Sequence, residues 1–548
     1  MPSRRSWLVA LAFVFGVAAC NDTTSPAPVA SVIVSPDSIV ADTADTLHFT
    51  VALFDAHGNP VPGRTITWSS SETTVVAVGS AGIAATRDTG TAWVRAAADG
   101  IADSAWVRVR VPIASINFGP DTLAIVAGAA VFDLPVVRDS AGHIVARDRV
   151  TYTSSNPGVA TISANGDTLR AMGLGTATIR GTADGRTDSL VVRVRTASFR
   201  ALAGWWRPCG VGTDSVASCW GSYGFGWGED SAAQPTVTAP AALAGGIRFI
   251  AIQSADAFGC GLAADSTAWC WGWAGNGRLG NPAIPEFTYT HAPVAVQTTM
   301  RFVSISATAR HTCALGTDSA AYCWGAWSTS PVAKSPLQFS APSPFVEVSA
   351  GDHFTCGVTA DSSAYCWGYN YNGVLGTGDS TSRSTPALVA GGLKWVSVSA
   401  GATVACGLVA GGEAYCWGGR SDGPVLLGTD SVNQSPVPVP VKTSVQFTQL
   451  ATGGEGANHT CGLTADGTAY CWGDNSLGEI GDGSTTAAVF PVAVTGGLQW
   501  QSIAASTYVT CGVSAGGVAY CWGSNAAWAL GDGTTVDRWV PTRVLGQP

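Results

Sequence analysis

Between residues 209 and 521 fourteen cysteines fall into seven pairs of one spacing: 209/219, 260/270, 313/323, 356/366, 406/416, 461/471 and 511/521. Trp-Gly follows the second member every time, and the first members recur every 43 to 55 residues. A period near 50 in a chain of strand-type composition marks a propeller or a solenoid. Each unit repeats one order of parts. An opening strand such as "RFVSISA" (301–307) precedes the first Cys strand, a turn and the Cys-Trp-Gly strand. A glycine-rich stretch such as "NYNGVLGTGDS" follows, and a Pro-x-x-Val strand such as Pro386 to Val389 closes the unit. With 67 glycines, 21 tryptophans and only 12% charged residues, the chain reads as a loop-rich, Trp-packed β protein rather than a disordered chain or a coiled coil. Net charge is −9 and no Lys/Arg run occurs, which argues against nucleic acid as a partner.

The turn explains the spacing. In "TADGTAY" the tripeptide Ala465-Asp466-Gly467 suits a three-residue hairpin loop, a type I turn followed by a left-handed bulge residue. Such a loop pairs 464 with 468, and therefore Cys461 with Cys471. The same reasoning predicts disulfides Cys209–Cys219, Cys260–Cys270, Cys313–Cys323, Cys356–Cys366, Cys406–Cys416 and Cys511–Cys521. The bulge position holds Ser215, Ser266, Ser319, Ser362, Gly412, Gly467 and Gly517. Each bridge closes a short loop worth about 2–3 kcal/mol in the chain-entropy model, less where the hairpin already joins its ends. Two thiolates per unit without a fixed His or Cys partner make no tetrahedral metal site, and no C-x-x-C exists for thiol-redox chemistry. Adjacent strand residues face opposite ways, so each Trp points away from its Cys neighbour, into the layer between units.

These repeats closely resemble the regulator-of-chromosome-condensation repeat family. Its "A-A-G-x-x-H-T-C-A-L" element stands as Ala307 to Leu315 and as "GANHTCGL" at 456–463. Its "W-G-x-N-x-x-G-Q-L-G-D-G" element stands as Trp472-Gly473-Asp474-Asn475 with Gly478, Gly481, Asp482 and Gly483, and again from Trp367 to Gly378. The resemblance implies a seven-bladed β-propeller of four-stranded blades over residues 197–548. Because the chain ends in "VPTRVLG" with no following unit, the strand near Pro541 to Val544 is expected to complete the blade holding Cys209 and Cys219.

Ahead of the repeats lie an export signal and two related modules. Arg4 and Arg5 precede the short apolar run "WLVALAFVFGVAA", which ends in Val17-Ala18-Ala19-Cys20. This resembles a lipoprotein signal (1–20), and the resemblance implies acylation of Cys20. Residues 21–29 read as a polar tether. Residues 30–112 and 113–196 carry short alternating strands separated by Asp/Gly/Asn/Pro turns, as in β-sandwiches. Trp68-Ser69-Ser70, Gly90-Thr91-Ala92 and Gly175-Thr176-Ala177 resemble bacterial immunoglobulin-like domain group 2, with Tyr152 in the place of Trp68. The expected fold is all-β: two immunoglobulin-like sandwiches, then the propeller.

Nothing in the sequence assembles into a catalytic motif, a phosphate loop or a metal set, and no cofactor is implied. His311 and His459, each two residues before a Cys, read as repeat features. The expectation is a non-enzymatic, lipid-anchored protein of the bacterial cell envelope, periplasmic or on the cell surface. It would bind an envelope or extracellular protein, or a glycan. The alternative is a propeller-based enzyme such as a polysaccharide-active hydrolase or lyase. An acidic, exported chain has no use for the small GTPase or chromatin that the family's nuclear founder engages. The variable segments after each Trp-Gly add Tyr223, Phe225, Trp227, Trp273, Tyr289 and Trp528 beyond what the repeat requires. Aromatics of that kind anchor interfaces, and here they mark a candidate binding rim; local packing of long loops is the other reading.

Overall fold

The computed structural model describes residues 27–119, 121–203, 208–221, 236–255, 257–326, 332–420, 427–430, 432–454 and 459–547. Cys20 of the signal lies outside them, as do Tyr223, Phe225 and Trp227. No α-helix occurs among the described residues. The chain forms two compact units: one ends at Pro112 and takes in Asp139–Ala141, and the other holds the rest from Ile113 onward.

The first unit is a β-sandwich. One sheet runs Ser38–Asp42, Ile101–Arg110, Gly90–Ala98, Thr67–Ser70, and a second runs Thr46–His48, Ile83–Thr86, Val76–Val78. Period-two alternation sets the core: within Gly90–Ala98, residues Ala92, Val94, Ala96 and Ala98 are buried while their neighbours face out. Ser38–Asp42 lies parallel to Ile101–Arg110.

Residues 113–195 repeat that path, with Thr122–Val126 parallel to Arg186–Arg195. Tyr152 meets Phe118 edge-on much as Trp68 leans on Phe49 in the first sandwich. The boundary drawn at 196 nevertheless separates two types of sequence rather than two bodies. The strand Val237–Ala242, from the first propeller unit, pairs with Ala217–Gly221 on one edge and with both Thr122–Val126 and Ala130–Phe132 of the second sandwich on the other. It joins sandwich and propeller blade into one continuous sheet.

The head is a seven-bladed propeller of four-stranded antiparallel blades. In every blade the cysteines are directly opposed and bonded, with Cα atoms 4.0–4.1 Å apart, the close spacing of non-hydrogen-bonded pairs. The turn residues Ser215, Ser266, Ser319 and Ser362 sit at φ of 64–66°, where Gly412, Gly467 and Gly517 stand in the other blades. A mid-turn aspartate supports the strained serine: Asp214, Asp265, Asp318 and Asp361 each accept the N–H two residues on.

Each Trp fills the layer toward the preceding blade. Trp271 packs with Cys209 and Cys219, Trp324 with the 260/270 bridge, and so on round to Trp522 with Cys461 and Cys471. The circle closes when Trp220 and Phe199 of the first blade bury against Cys511 and Cys521 of the seventh.

Closure uses no exchanged strand, which corrects the expectation for the C-terminus. Arg538–Arg543 pairs with Ala519–Gly523, as the fourth strand of its own blade. The blade of Cys209 and Cys219 takes Val237–Ala242 as its fourth strand. The Pro-containing strand thus follows its own Trp-Gly in the first unit too, in "PTVTAPAALA". Side chains and single bonds seal the seam: Trp220 Nε1–H donates to the Ala529 carbonyl at 2.9 Å, and the Ala197 N–H to Gly546 at 2.8 Å.

Candidate functional site

The propeller presents two faces. One carries the Asp-centred hairpin turns, and the other carries the loops that follow each Trp-Gly. The second face is built by a recurring device. The Gly after each Trp has φ between 83° and 114°, and a Cβ on Gly368 would lie 2.6 Å from the His353 carbonyl. The backbone passes too closely for any side chain there. A buried asparagine then folds the loop. Asn475 Oδ1 accepts the Ile480 N–H, while its Nδ2 donates to the Ser484 and Thr486 carbonyls. Asn370 does the same in its blade, and Asn525 accepts the Leu530 N–H while donating to the Val536 carbonyl and the Thr534 hydroxyl. The loop also reaches the next blade: the Trp417 indole N–H donates to the Val374 carbonyl, and that of Trp522 to Glu479.

The axial channel is a cavity of about 310 Å³ lined by the innermost strands. Serines lock neighbouring strands there: the hydroxyls of Ser306, Ser349 and Ser399 accept the N–H groups of Ala350, Ala400 and Thr452 at 2.9–3.0 Å. Among its described lining residues Asp352 is the single acid, so they do not supply the two carboxylates that glycoside cleavage uses. Glu347 stands on Phe345–Ala350, the strand that leads into Asp352, but burial pushes its carboxyl up to about 7 and it accepts the Val398 N–H.

Asp352 also forms the floor of a second cavity of about 240 Å³, on the loop face between the fourth and fifth blades. Its carboxylate is 3.3 Å from His353 Nε2 and 3.5 Å from Arg310 Nε, and its N–H donates to Gly401 of the next blade. Burial holds the His353 imidazole below its ordinary pKa, with Asp352 opposing and Arg310 adding to the shift. Tyr369 and Tyr371 stack at 6.1 Å and 17°, 40% and 67% exposed, beside His353. Thr403 and Arg420 complete the polar wall. Two exposed phenol rings over a fixed carboxylate, an imidazole and a guanidinium offer both apolar contact and directional hydrogen bonds.

The predicted rim residues are scattered by comparison. Trp273 packs on Tyr289 at 4.8 Å and on Phe287 at 5.9 Å, a cluster at the outer end of the second blade. Trp528 lies on Phe132 of the second sandwich at 5.7 Å, a packing contact. Tyr369 and Tyr371 satisfy the same criterion of aromatics beyond the repeat pattern, in "WGYNYNG", but their segment is otherwise regular and attracts no notice in sequence. Asp352 and His353 belong to a short loop whose meeting with 369–372 and 402–403 only the fold reveals. His311 and His459 are buried and bond Thr355 and Thr510 of the next blade.

Models of the regulator of chromosome condensation (RCC1) repeat match residues 265–315, 345–374, 361–408 and 448–479. Over these segments the head carries RCC1 repeats, within a propeller fold. Solved structures similar to it include yeast RCC1 (Prp20) bound to Kap60, at 19% identity and a TM-score of 0.54, covering 64% of this chain and 85% of that one. Human WBSCR16 matches at 19% identity and a TM-score of 0.52, covering 60% and 93%. At this identity the likeness establishes the RCC1-type fold. The seven bridges point to an oxidising environment, extracellular or periplasmic.

Proposed function

We propose that the RCC1-type head is a non-enzymatic recognition module that grips a partner protein with its loop face, around the cavity of Asp352, His353, Tyr369 and Tyr371. The observation that carries this is the exposed, stacked tyrosine pair above a buried carboxylate held from two sides. Aromatic anchors beside fixed polar groups are the composition of interface centres. The yeast RCC1 in the complex with Kap60 is a propeller of this type joined to another protein. Acylation at Cys20 would tether the chain to a membrane of the bacterial envelope, with the first sandwich, read as immunoglobulin-like, as a spacer. The partner would be an envelope or extracellular protein. A glycan would use the same rings and is separable by competition with free saccharides.

The test is chemical cross-linking of the full chain to envelope and secreted proteins, in parallel with a Tyr369→Ala/Tyr371→Ala variant. A defined protein captured by the parent and lost from an equally stable variant supports the reading. Capture that the double substitution leaves unchanged rejects this face.

A further inference from the structure

The two sandwiches share one path but differ at one edge. In the second, one edge of Val237–Ala242 pairs with both Thr122–Val126 and Ala130–Phe132, Ala241 opposite Ile125 and Val237 opposite Val131, while its other edge holds Ala217–Gly221. The Ala130 N–H donates to Thr238 Oγ1 at 2.9 Å and the Phe132 N–H to the Thr236 carbonyl at 3.0 Å. Val237, Thr238, Ala239 and Ala241 are buried there.

In the first sandwich the equivalent strands, Ser38–Asp42 and Thr46–His48, are both sheet edges among the described residues. Matching the parallel pairings sets Val40 against Ala124, and matching the antiparallel ones sets Thr46 against Ala130 and His48 against Phe132. The backbone orientation also corresponds. Thr86 N–H bonds Asp45, and Phe49 N–H bonds Gly82, so the amides of Thr46 and His48 point away from their sheet, toward the open edge. The edge lacks the usual guards: Ser-Ile-Val-Ala-Asp contains no Lys or Pro, and Val40 is 51% exposed. At the turn, Asp45 accepts the Asp42 N–H at 2.8 Å; Arg110 pairs with the Asp42 carboxylate at 3.1 Å, and the Asp45 carboxylate disfavours an acidic ligand.

We infer that this edge is a strand-binding site, taking an extended segment of a partner protein with the chemistry of Val237–Ala242. That means small apolar residues alternating with a hydroxyl that reaches the Thr46 N–H. Main-chain bonds would supply affinity and the small pockets specificity, as in other strand-addition complexes. The head's own Val237–Ala242 cannot serve, since both its edges are already paired. This site is separate from the loop-face cavity.

The experiment titrates the full chain into a labelled peptide of residues 235–242, Pro-Thr-Val-Thr-Ala-Pro-Ala-Ala. Saturable binding is expected, weakened at least tenfold by scrambling the peptide or by His48→Pro, which deletes an outward N–H without breaking a sheet bond. Replacing the threonine equivalent to Thr238 by valine should weaken it less. Hydrogen exchange on the unaltered chain decides the matter should His48→Pro unfold the module: the Thr46 and His48 amides must slow when peptide binds. Absence of binding overturns the inference. So does protection confined to Ala130 and Phe132, meaning that the peptide displaced the internal strand. Self-association abolished by His48→Pro without peptide binding would assign the edge to a second copy and overturn it equally.

Discussion

The two sandwiches are close relatives in sequence and path, yet one is an integral part of the head and the other a unit of its own. A single strand makes the difference. Val237–Ala242 is the one fourth strand buried almost throughout, where the corresponding Arg383–Leu388 and Ala488–Ala493 remain largely exposed. Its Val-Thr-Ala-Pro-Ala-Ala has side chains small enough to be covered on both sides. A duplicated module therefore does not imply a duplicated setting, because covering one edge joins the second sandwich to the head in one sheet.

Full reduction should separate the two most strongly. The head holds seven bridges, each worth about 2–3 kcal/mol in the chain-entropy model, whereas the first sandwich has no cysteine. Calorimetry in reductant should lower the transition of the head and second sandwich together and leave that of the first sandwich in place. If the second sandwich keeps its own transition, the single-body description of that unit is wrong.

A matched pair of substitutions gives the next largest contrast. Ala130→Lys buries an ammonium at the occupied edge and should cost about 2–4 kcal/mol. Thr46→Lys, at the equivalent open position, should stay within about half a kcal/mol. Denaturant titration of both variants reads the difference, and equal costs would mean that the first edge is also covered. Smaller again is the loss for Trp528→Ala, about 1–2 kcal/mol from the half-buried contact with Phe132. The counterpart of Phe132 is the exposed His48, and His48→Ala should not measurably change melting.

The smallest contrast lies in pH dependence. Burial pushes the Glu479 carboxyl up to about 7, so its contribution to head stability is complete below about pH 4.5 and is lost as pH rises through 7. Glu479→Gln should therefore stabilise the head at pH 8 by about 1 kcal/mol and change little at pH 5. Burial holds His311 and His459 down at about 3 and 4, which has the opposite sign. Their unfolded forms take up protons below about pH 6.5, and stability falls from there toward pH 4. Melting curves at pH 5, 6.5 and 8 give both limbs; a Glu479→Gln variant with parental behaviour at pH 8 would show that the carboxylate is not desolvated.

What could be read from residues alone was whatever a short stretch of chain decides. A three-residue turn sets the register of its hairpin, so "TADGTAY" carries enough information to pair Cys461 with Cys471, and strand alternation is enough to send Trp472 into the neighbouring layer. The positive φ of Ser215 and Ser319 follows from the same local geometry. Contacts between distant segments were not legible. Ring closure is not written in the sequence, because a strand's partner depends on which edge is free in the folded sheet, and Arg538–Arg543 finds its own blade first. The docking of Val237–Ala242 on strands more than 100 residues earlier leaves no mark except its small side chains. The cavity of Asp352, His353, Tyr369 and Tyr371 arises where three loops meet, and no one of them is unusual. Hairpin register, disulfide pairing and core periodicity were determined by the sequence because short-range sterics and alternation suffice for them. Which edge is covered and which loops converge was decided only by the tertiary structure, because those depend on surfaces that do not exist until the sheets have formed.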